Sequence, residues 1–183
     1  MELVSIEDNT RLTKIDCGIF VKKDFISKEE YNSLLNKASL LEEDQWHTHP
    51  TDEEESGRIS TNMNETFAVS QQVIDYVIPK YWINEHKTVN RMRSEDVPLA
   101  FGWNEWGSAD YNVVFYFGDF TGGNLKCYKH GDEENFTILE IETNVLYLLP
   151  VTNQERYISE PVESGIKYSF VDWIYKHNEW SFA

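Results

Sequence analysis

The spacing of apolar residues changes along the chain, and the change falls near Lys87. Before that point apolar residues recur every three or four positions, which predicts helices over residues 28–41 and 67–83. After it, apolar runs of strand length, separated by turn signals, predict eight strands. Their predicted ranges are 87–93, 98–103, 112–117, 123–129, 135–141, 144–149, 155–162 and 166–175.

Local signals refine the N-terminal half of this pattern. A short strand is predicted within 18–26, and Ser27 with Glu30 forms a capping box at the start of the first helix. Residues 43–66 are polar, acidic and punctuated by Gly and Pro, so they predict an exposed loop or lid. Pro79 is expected near the end of the second helix, because a proline interrupts helical hydrogen bonding.

Glycines mark predicted turns between the strands, at Gly118-Asp119, Gly122-Gly123 and Ser164-Gly165. Closely spaced strands with such turns favour a two-sheet sandwich or a barrel over alternating strands and helices. The predicted fold is therefore α+β and mostly β, with two N-terminal helices packed on one sheet.

The chain has 183 residues, of which 40% are hydrophobic and 14% aromatic, and this predicts one globular domain over 1–183. Residues 1–86 would hold the first strand, the helices and the lid, residues 87–175 the β core, and residues 176–183 a tail. No apolar run approaches the roughly 20 residues of a membrane-spanning helix. The first residues lack the pattern of a signal peptide. We expect a soluble, cytoplasmic protein that does not contact a membrane.

Thirty-two acidic residues against 16 basic ones give the chain a net charge of −16. Phosphate backbones repel such a surface, so direct nucleic-acid binding is not expected. The acids cluster in part at 42–44, 52–55 and 132–134. One interpretation is a solubilising surface, and the other is that these loops bind a protein partner with a basic surface. Cys17 and Cys127 have no metal-binding spacing and predict two reduced thiols.

Three segments of the second half carry a family resemblance. They are Tyr111-Asn-Val-Val-Phe-Tyr-Phe-Gly-Asp-Phe-Thr-Gly-Gly-Asn-Leu-Lys126, Val145-Leu-Tyr-Leu-Leu-Pro150 and Pro161-Val-Glu-Ser-Gly-Ile-Lys-Tyr-Ser-Phe-Val-Asp-Trp173. In order and spacing they resemble the core of the iron(II)/2-oxoglutarate-dependent oxygenases, particularly the prolyl-hydroxylase-like branch. The resemblance implies a double-stranded β-helix, which is a jelly-roll or cupin-like core. For an active member it also implies iron(II) and 2-oxoglutarate as cofactors.

The resemblance places the family's iron ligands on residues of other types. Its HxD motif falls on Trp103-Asn-Glu105, so Trp103 stands in place of an imidazole while Glu105 keeps a carboxylate, and its distal His falls on Tyr157. An indole offers no lone pair to a metal, and a phenol must lose a proton with a pKa of ~10 before it can bind one. We therefore expect neither a family-type iron site nor a catalytic residue, and no cofactor.

The same resemblance implies that the anchor for the oxoacid is kept. Lys167 falls where the family has the basic residue that pairs with the far carboxylate of 2-oxoglutarate, and Ser169 and Tyr111 are further candidate contacts. The alternative is that Lys167 forms an ordinary ion pair with an acid such as Asp172 or Glu105.

Few other residues indicate chemistry. His47-Thr-His49 followed by Asp52 could hold a metal, although its position in the predicted lid favours a solvated loop. The sequence has no GxSxG, P-loop or GxGxxG motif.

Three functional hypotheses remain. The first is a degenerate oxygenase-fold protein that acts by binding a partner. A compact acidic protein of this kind would suit a phage or virus as an accessory protein or inhibitor in the host cytoplasm. The second is an active oxygenase with an atypical metal site, which would use iron(II) and 2-oxoglutarate. The third is a small-molecule sensor whose pocket surrounds Lys167.

Overall fold

The computed structural model of the protein describes residues 13–15, 18–48, 59–62, 81–83, 88–96, 100–101, 111–129, 132–151 and 155–176. Within these ranges the chain forms one α-helix, α1 (Lys28–Ser39), and one 3₁₀ turn (Glu43–Gln45). The strands are β1 (Thr13–Lys14), β2 (Phe20–Lys22), β3 (His47–Thr48), β4 (Ile59–Asn62), β5 (Tyr81–Ile83), β6 (Thr88–Met92), β7 (Ala100–Phe101), β8 (Tyr111–Gly122), β9 (Leu125–Lys129), β10 (Asp132–Leu139), β11 (Val145–Pro150), β12 (Glu155–Ser159) and β13 (Val162–Lys176).

The described strands form two sheets, and the strand pairs within both are antiparallel. The larger sheet has nine strands in the order β1-β2-β11-β8-β13-β6-β4-β3, with β5 paired to the far end of β13. The smaller sheet has four strands in the order β10-β9-β12-β7. The fold is therefore mostly β, as the sequence predicts.

Strand β8 lies at the centre of the larger sheet and separates two cores. Its side chains alternate between the faces of the sheet, as the period of a strand requires. The face towards α1 carries Tyr111, Val113, Phe115 and Phe117. The opposite face carries Val114 and Tyr116, which pack with residues of the smaller sheet such as Leu125, Cys127 and Tyr157. The second core thus lies between the two sheets.

Helix α1 covers the outer face of the larger sheet. Ser27 and Glu30 form the predicted capping box, in which each side chain bonds the backbone N–H of the other residue. The apolar spacing along the helix buries Leu34 and Ala38 against the sheet. The helix agrees with the predicted range 28–41 apart from its last turn.

Each of the eight strands predicted after Lys87 is present, with shifted ends. The two longest strands run through predicted turns, at Gly118 in β8 and Gly165 in β13. Both glycines have positive φ, and a Cβ at either position would approach the carbonyl oxygen of the opposite strand to within 2.3 Å or less. These glycines therefore permit close pairing of β8 with β13.

Two predictions for the N-terminal half need correction. A second helix is not seen among the described residues: Tyr81–Ile83, assigned to its end, forms β5, and residues 67–80 lie outside the described ranges. A Tyr-Trp-Ile segment after Pro79 favours a strand, and β13 supplies the pairing partner. The predicted lid 43–66 is also partly ordered as sheet, because β3 pairs with β4 and β4 pairs with β6.

The acidic segment 42–44 is bound to the sheet through Glu43. Its carboxylate accepts hydrogen bonds from both terminal guanidinium nitrogens of Arg91, Nη1 and Nη2, at 3.0 and 2.7 Å, and another from Arg93. The Arg91 side chain is buried and stacks on the Trp46 ring at 4.4 Å. These bonds, first those from Arg91, lower the pKa of Glu43 to about 2. This cluster therefore differs from the free acidic loop that the sequence suggested.

Asn144 joins the start of α1 to the turn before β11. Its backbone adopts φ 57°, its amide oxygen accepts from the backbone N–H of Ile26 at 3.1 Å, and its amide nitrogen donates to the Ile26 carbonyl at 2.9 Å. Its own carbonyl accepts from Phe25 N–H at 3.0 Å. One residue thus supplies both the left-handed turn and the contact that positions the helix.

Replacing Asn144 tests this junction. We expect Asn144→Gly, which keeps the positive φ but loses both side-chain bonds, to lower the free energy of unfolding by about 1–3 kcal/mol. Asn144→Ala should lower it by a further ~1 kcal/mol, because alanine is strained in the left-handed region. Urea unfolding measures both effects. A glycine variant as stable as the wild type would contradict the role of the side-chain bonds.

Candidate functional site

The candidate site lies between the two sheets and is centred on Lys167 of β13. Alternation along this strand directs Tyr168 and Phe170 towards α1, whereas Lys167 shares the inner face with Val171. The Lys167 side chain is only 2% exposed. A lysine is seldom buried so completely unless its charge is paired.

The ammonium group of Lys167 has three close partners, and the centre of a fourth group, the Phe120 ring, lies 5.9 Å away. Nζ donates to the Gly123 carbonyl oxygen at 2.5 Å and to Ser159 Oγ at 3.0 Å, and it lies 4.3 Å from the centre of the Tyr116 ring. A carbonyl, a hydroxyl and a ring face can together satisfy the three N–H groups of an ammonium. None of these partners carries a negative charge, so this buried cation lacks a carboxylate among the described residues.

Burial without a counter-charge changes the acidity of Lys167. Removal from water penalises the charged form and lowers the pKa of Lys167 to about 7. An anion placed beside Nζ would favour the charged form and restore a higher pKa. A carboxylate bound at Nζ would therefore be accompanied by the uptake of a proton.

Gly123 shapes this site by having no side chain. It has φ 66°, and a Cβ there would come within 3.0 Å of Lys167 Cδ and 3.2 Å of Nζ. Its carbonyl is one of the two oxygen acceptors for Nζ. The Gly122-Gly123 pair, predicted only as a turn, thus leaves room for the lysine and also bonds it.

Tyr116 closes the inner side of the site. Its ring is almost completely buried and meets Tyr147 edge-on, with ring centres 5.6 Å apart. Burial raises the pKa of Tyr116 well above its usual value, so the phenol stays protonated. Among the described residues its hydroxyl has no hydrogen-bond partner. A buried hydroxyl in that condition can donate to, or accept from, a molecule that enters the site.

Tyr157 is completely buried on β12, in the core between the sheets. Its backbone lies opposite Cys127 of β9 on one side and Phe101 of β7 on the other. Cys127 is likewise buried, and Cys17 lies outside the described residues, so the two reduced thiols stay a prediction. The position given to the distal His by resemblance therefore holds an aromatic ring in a packed interior.

The other predicted site residues do not all lie near Lys167. Ser169 is buried on the same face of β13 as Lys167 and is in register with Tyr116. Tyr111 belongs to the core on the α1 side, so the sheet separates it from Lys167. Trp103 and Glu105 lie outside the described residues.

Two residues of this site, Ser159 and Tyr116, were not identified from the sequence. Ser159 lies two positions after Tyr157 and so shares its strand face, which was the available signal. Tyr116 lay within an apolar run and resembled any other core aromatic. Ser159 and Lys167 lie on different sheets, so their proximity depends on how the two sheets pack, whereas Tyr116 is brought near Lys167 by the pairing of β8 with β13.

The described donors do not fit a family-type iron centre. At the position that the resemblance gives to the distal His, the side chain is a phenol, which must lose its proton before it can bind a metal. Among the residues with described side chains, no three His, Cys, Asp or Glu lie close enough to hold a metal ion. Of the lid cluster, only the backbone of His47 is described, in β3, and His49 and Asp52 lie outside the described ranges. The described part of the chain contains no helix long and apolar enough to cross a membrane.

Solved structures with the same fold include three oxygenases. An oxidoreductase of the 2OG-Fe(II) oxygenase family from Burkholderia pseudomallei is 13% identical, with a TM-score of 0.65, and the alignment covers 89% of this chain and 88% of that one. The chain has the fold of the 2OG-Fe(II) oxygenases. No protein-family model and no curated protein matches the sequence significantly.

The other two structures are prolyl hydroxylases. One is from Trichoplax adhaerens, solved with a hypoxia inducible factor peptide, and is 12% identical with a TM-score of 0.68 over 88% of this chain and 84% of that one. A prolyl-4-hydroxylase from Pseudomonas putida is 10% identical with a TM-score of 0.62 over 87% and 92%. At these identities the likeness is one of fold.

The lowered pKa of Lys167 makes the stability of the protein depend on pH. The unfolded lysine, with a pKa near 10.5, binds a proton that the folded one releases above about pH 7. Between these values the unfolded state holds more protons, so this group adds stability as pH rises. We expect Lys167→Met to raise the free energy of unfolding, relative to wild type, most strongly below pH 7. The difference between the two proteins should shrink as the pH approaches 10.5. A pH-independent difference in urea unfolding free energy would contradict the buried, unpaired cation.

Proposed function

We propose that this protein is a binding protein built on the oxygenase fold, without the iron chemistry of the family. The observation that carries the proposal is the complete burial of Tyr157, the residue to which the family resemblance assigns the distal ligand position. Its ring packs in the core between the sheets, where an active oxygenase would need an imidazole with an open metal face. A side chain that fills the core in this way serves packing.

The order of the strands supports a double-stranded β-helix as the finer description of this fold. From β6 to β9 successive strands alternate between the larger and the smaller sheet, and from β10 to β13 they alternate again. The larger sheet contains the neighbouring strands β11-β8-β13-β6, in that order, and the smaller sheet has the order β10-β9-β12-β7. This alternation is that of two sheets wound from one chain, as in a jelly roll.

The proposal predicts the behaviour of the purified protein with metal and oxoacid. After anaerobic incubation with Fe(II) and removal of free metal, we expect no stoichiometric iron by elemental analysis, because a protonated phenol is a poor ligand. On addition of 2-oxoglutarate and oxygen, no succinate should form. One iron per chain with succinate formation would instead support an active oxygenase with an atypical metal site.

Tyr157 variants connect that result to the residue. Tyr157→Phe keeps the ring and removes the oxygen, so it should change neither the iron content nor the succinate formed. Tyr157→Ala should lower the free energy of unfolding by about 3–5 kcal/mol, because it leaves a cavity in the core. A Tyr157→Phe variant that loses iron or activity while remaining as stable as wild type would identify Tyr157 as a ligand and overturn the proposal.

A second candidate function, a small-molecule sensor, is favoured by the surroundings of Lys167. Among the described residues the buried Lys167 ammonium has no carboxylate partner and the nearby Tyr116 hydroxyl has no hydrogen-bond partner. Such a pair of groups is suited to bind a small carboxylate. A dicarboxylate such as 2-oxoglutarate or succinate would place one carboxylate against Nζ. Binding and the absence of iron chemistry are compatible, so this candidate extends the first one.

Calorimetry with 2-oxoglutarate and with succinate tests this candidate. Above pH 7 we expect binding to take up about one proton per site, because the anion restores the charge of Lys167. The measured enthalpy should therefore depend on the ionisation enthalpy of the buffer. Lys167→Met should abolish binding, whereas Lys23→Met, which removes an exposed lysine paired with Glu142, should not affect it. Binding that survives in Lys167→Met, or that takes up no proton, would contradict this role.

A further inference from the structure

The smaller sheet ends in a strand whose outer edge pairs with no other described strand. Strand β10 is terminal in the sheet order and pairs on one side only, with β9. Its other side presents backbone N–H and C=O groups that no described strand bonds. Residues 134–138 of this strand are all exposed. Such an edge can accept an additional strand.

The middle of β10 lacks the features that usually protect an edge. Residues 135–139 contain no charge and no proline. Phe136 is 44% and Ile138 50% exposed, and both lie on the outer face, in register with Tyr128 and Lys126. The edge therefore combines backbone groups that no described strand bonds with an exposed apolar pair.

Acidic residues flank this apolar centre, one within β10 and one just after its end. Glu134 and Glu140 are exposed on either side of the apolar pair. Between Asp132 and Phe136 the pairing with β9 is irregular, and the Asp132 carboxylate accepts from Asn135 N–H at 3.0 Å. The strand thus offers an uncharged centre flanked by negative charge.

The neighbouring lysine does not reverse this charge. Lys126 Nζ pairs with the Glu160 carboxylate at 3.4 Å and lies 4.8 Å from the centre of the Phe136 ring. Its positive charge is therefore matched within the protein, and the whole chain carries −16.

We propose that β10 is a docking strand for an extended segment of a basic partner protein, which adds to the smaller sheet. The partner segment would carry apolar side chains at alternate positions against Phe136 and Ile138, and Lys or Arg near its ends against Glu134 and Glu140. This inference rests on the proposed function, because it names the partner of a protein that acts by binding.

Charge selects this occupant over a second copy of the chain. If β10 paired with itself in antiparallel register about Thr137, Phe136 would face Ile138, which is favourable. In the same register Glu134 of each copy would face Glu140 of the other, and like charges opposite each other in a sheet are destabilising. A basic segment keeps the apolar contact and replaces this repulsion by attraction.

The probe is a synthetic peptide of about ten residues with alternating Val and Thr at its centre and two Lys at each end, and its matched control has Glu in place of Lys. We expect the Lys peptide to bind, the Glu peptide not to bind, and the binding to weaken as salt rises. Hydrogen exchange should show protection of amides within 134–139 on addition of the Lys peptide. Equal binding of both peptides, or protection elsewhere only, would overturn the proposal.

Variants of the edge localise the interaction. Ile138→Lys should weaken binding about tenfold, equivalent to about 1.4 kcal/mol, since it places a charge in the apolar centre. Leu40→Lys is the matched control, because Leu40 is 69% exposed on the α1 side of the larger sheet. It should leave binding unchanged, and both variants should keep the melting temperature of the wild type. Equal losses in both variants would contradict the assigned site.

Reversing the charges that flank the edge gives a test that unfolding cannot mimic, because it predicts a new peptide preference and not only a loss of binding. The double variant Glu134→Lys with Glu140→Lys should now prefer the Glu peptide over the Lys peptide. Sedimentation of the wild type tests the other occupant: a dimer that Ile138→Lys converts to monomer would show that a second copy occupies the edge, and would overturn the proposal. The peptide tests bear on the docking strand, and the iron and succinate measurements bear on the proposed function. Either proposal can therefore fail without the other.

Discussion

The antiparallel pairing of β8 with β13 is the constraint on which the rest of the structure depends. It joins Tyr111–Gly122 to Val162–Lys176 through the centre of the larger sheet. One face of the pair forms the core under α1, and the other face forms the core shared with the smaller sheet. Gly118 and Gly165 allow the two backbones to approach closely. The pairing also sets Lys167 in register with Gly118, and alternation along β13 places the Lys167 side chain on the inner face.

Two buried polar groups define the interior between the sheets. Lys167 holds a cation against a carbonyl, a hydroxyl and a ring, and none of these partners is charged. Tyr157 contributes a phenol to the packed core where the family resemblance assigns a metal ligand. The oxygenase fold is shared with structures only 10–13% identical, and a shared fold does not by itself establish a function. Function therefore has to be argued from these side chains.

Local patterns predicted most of the fold. The eight C-terminal strands and α1 were predictable because each has its own apolar period, and the Ser27–Glu30 capping box marks the helix start. β5 was missed, because a three-residue strand depends on pairing with the distant β13. The turns predicted at Gly118 and Gly165 were wrong, since a glycine in a turn and one at a close strand contact look alike in sequence.

The site was less predictable than the fold. Lys167 was found through a family resemblance, but its partner Gly123 lies 44 residues away, and Tyr111 was assigned to the site although it lies across the sheet. The most direct test of the account is an anomalous difference map, at the iron edge, from crystals grown anaerobically with Fe(II) and 2-oxoglutarate. The account predicts no iron peak within bonding distance of Tyr157 Oη, and oxoacid density against Lys167 Nζ. An iron peak bound to Tyr157 would contradict it.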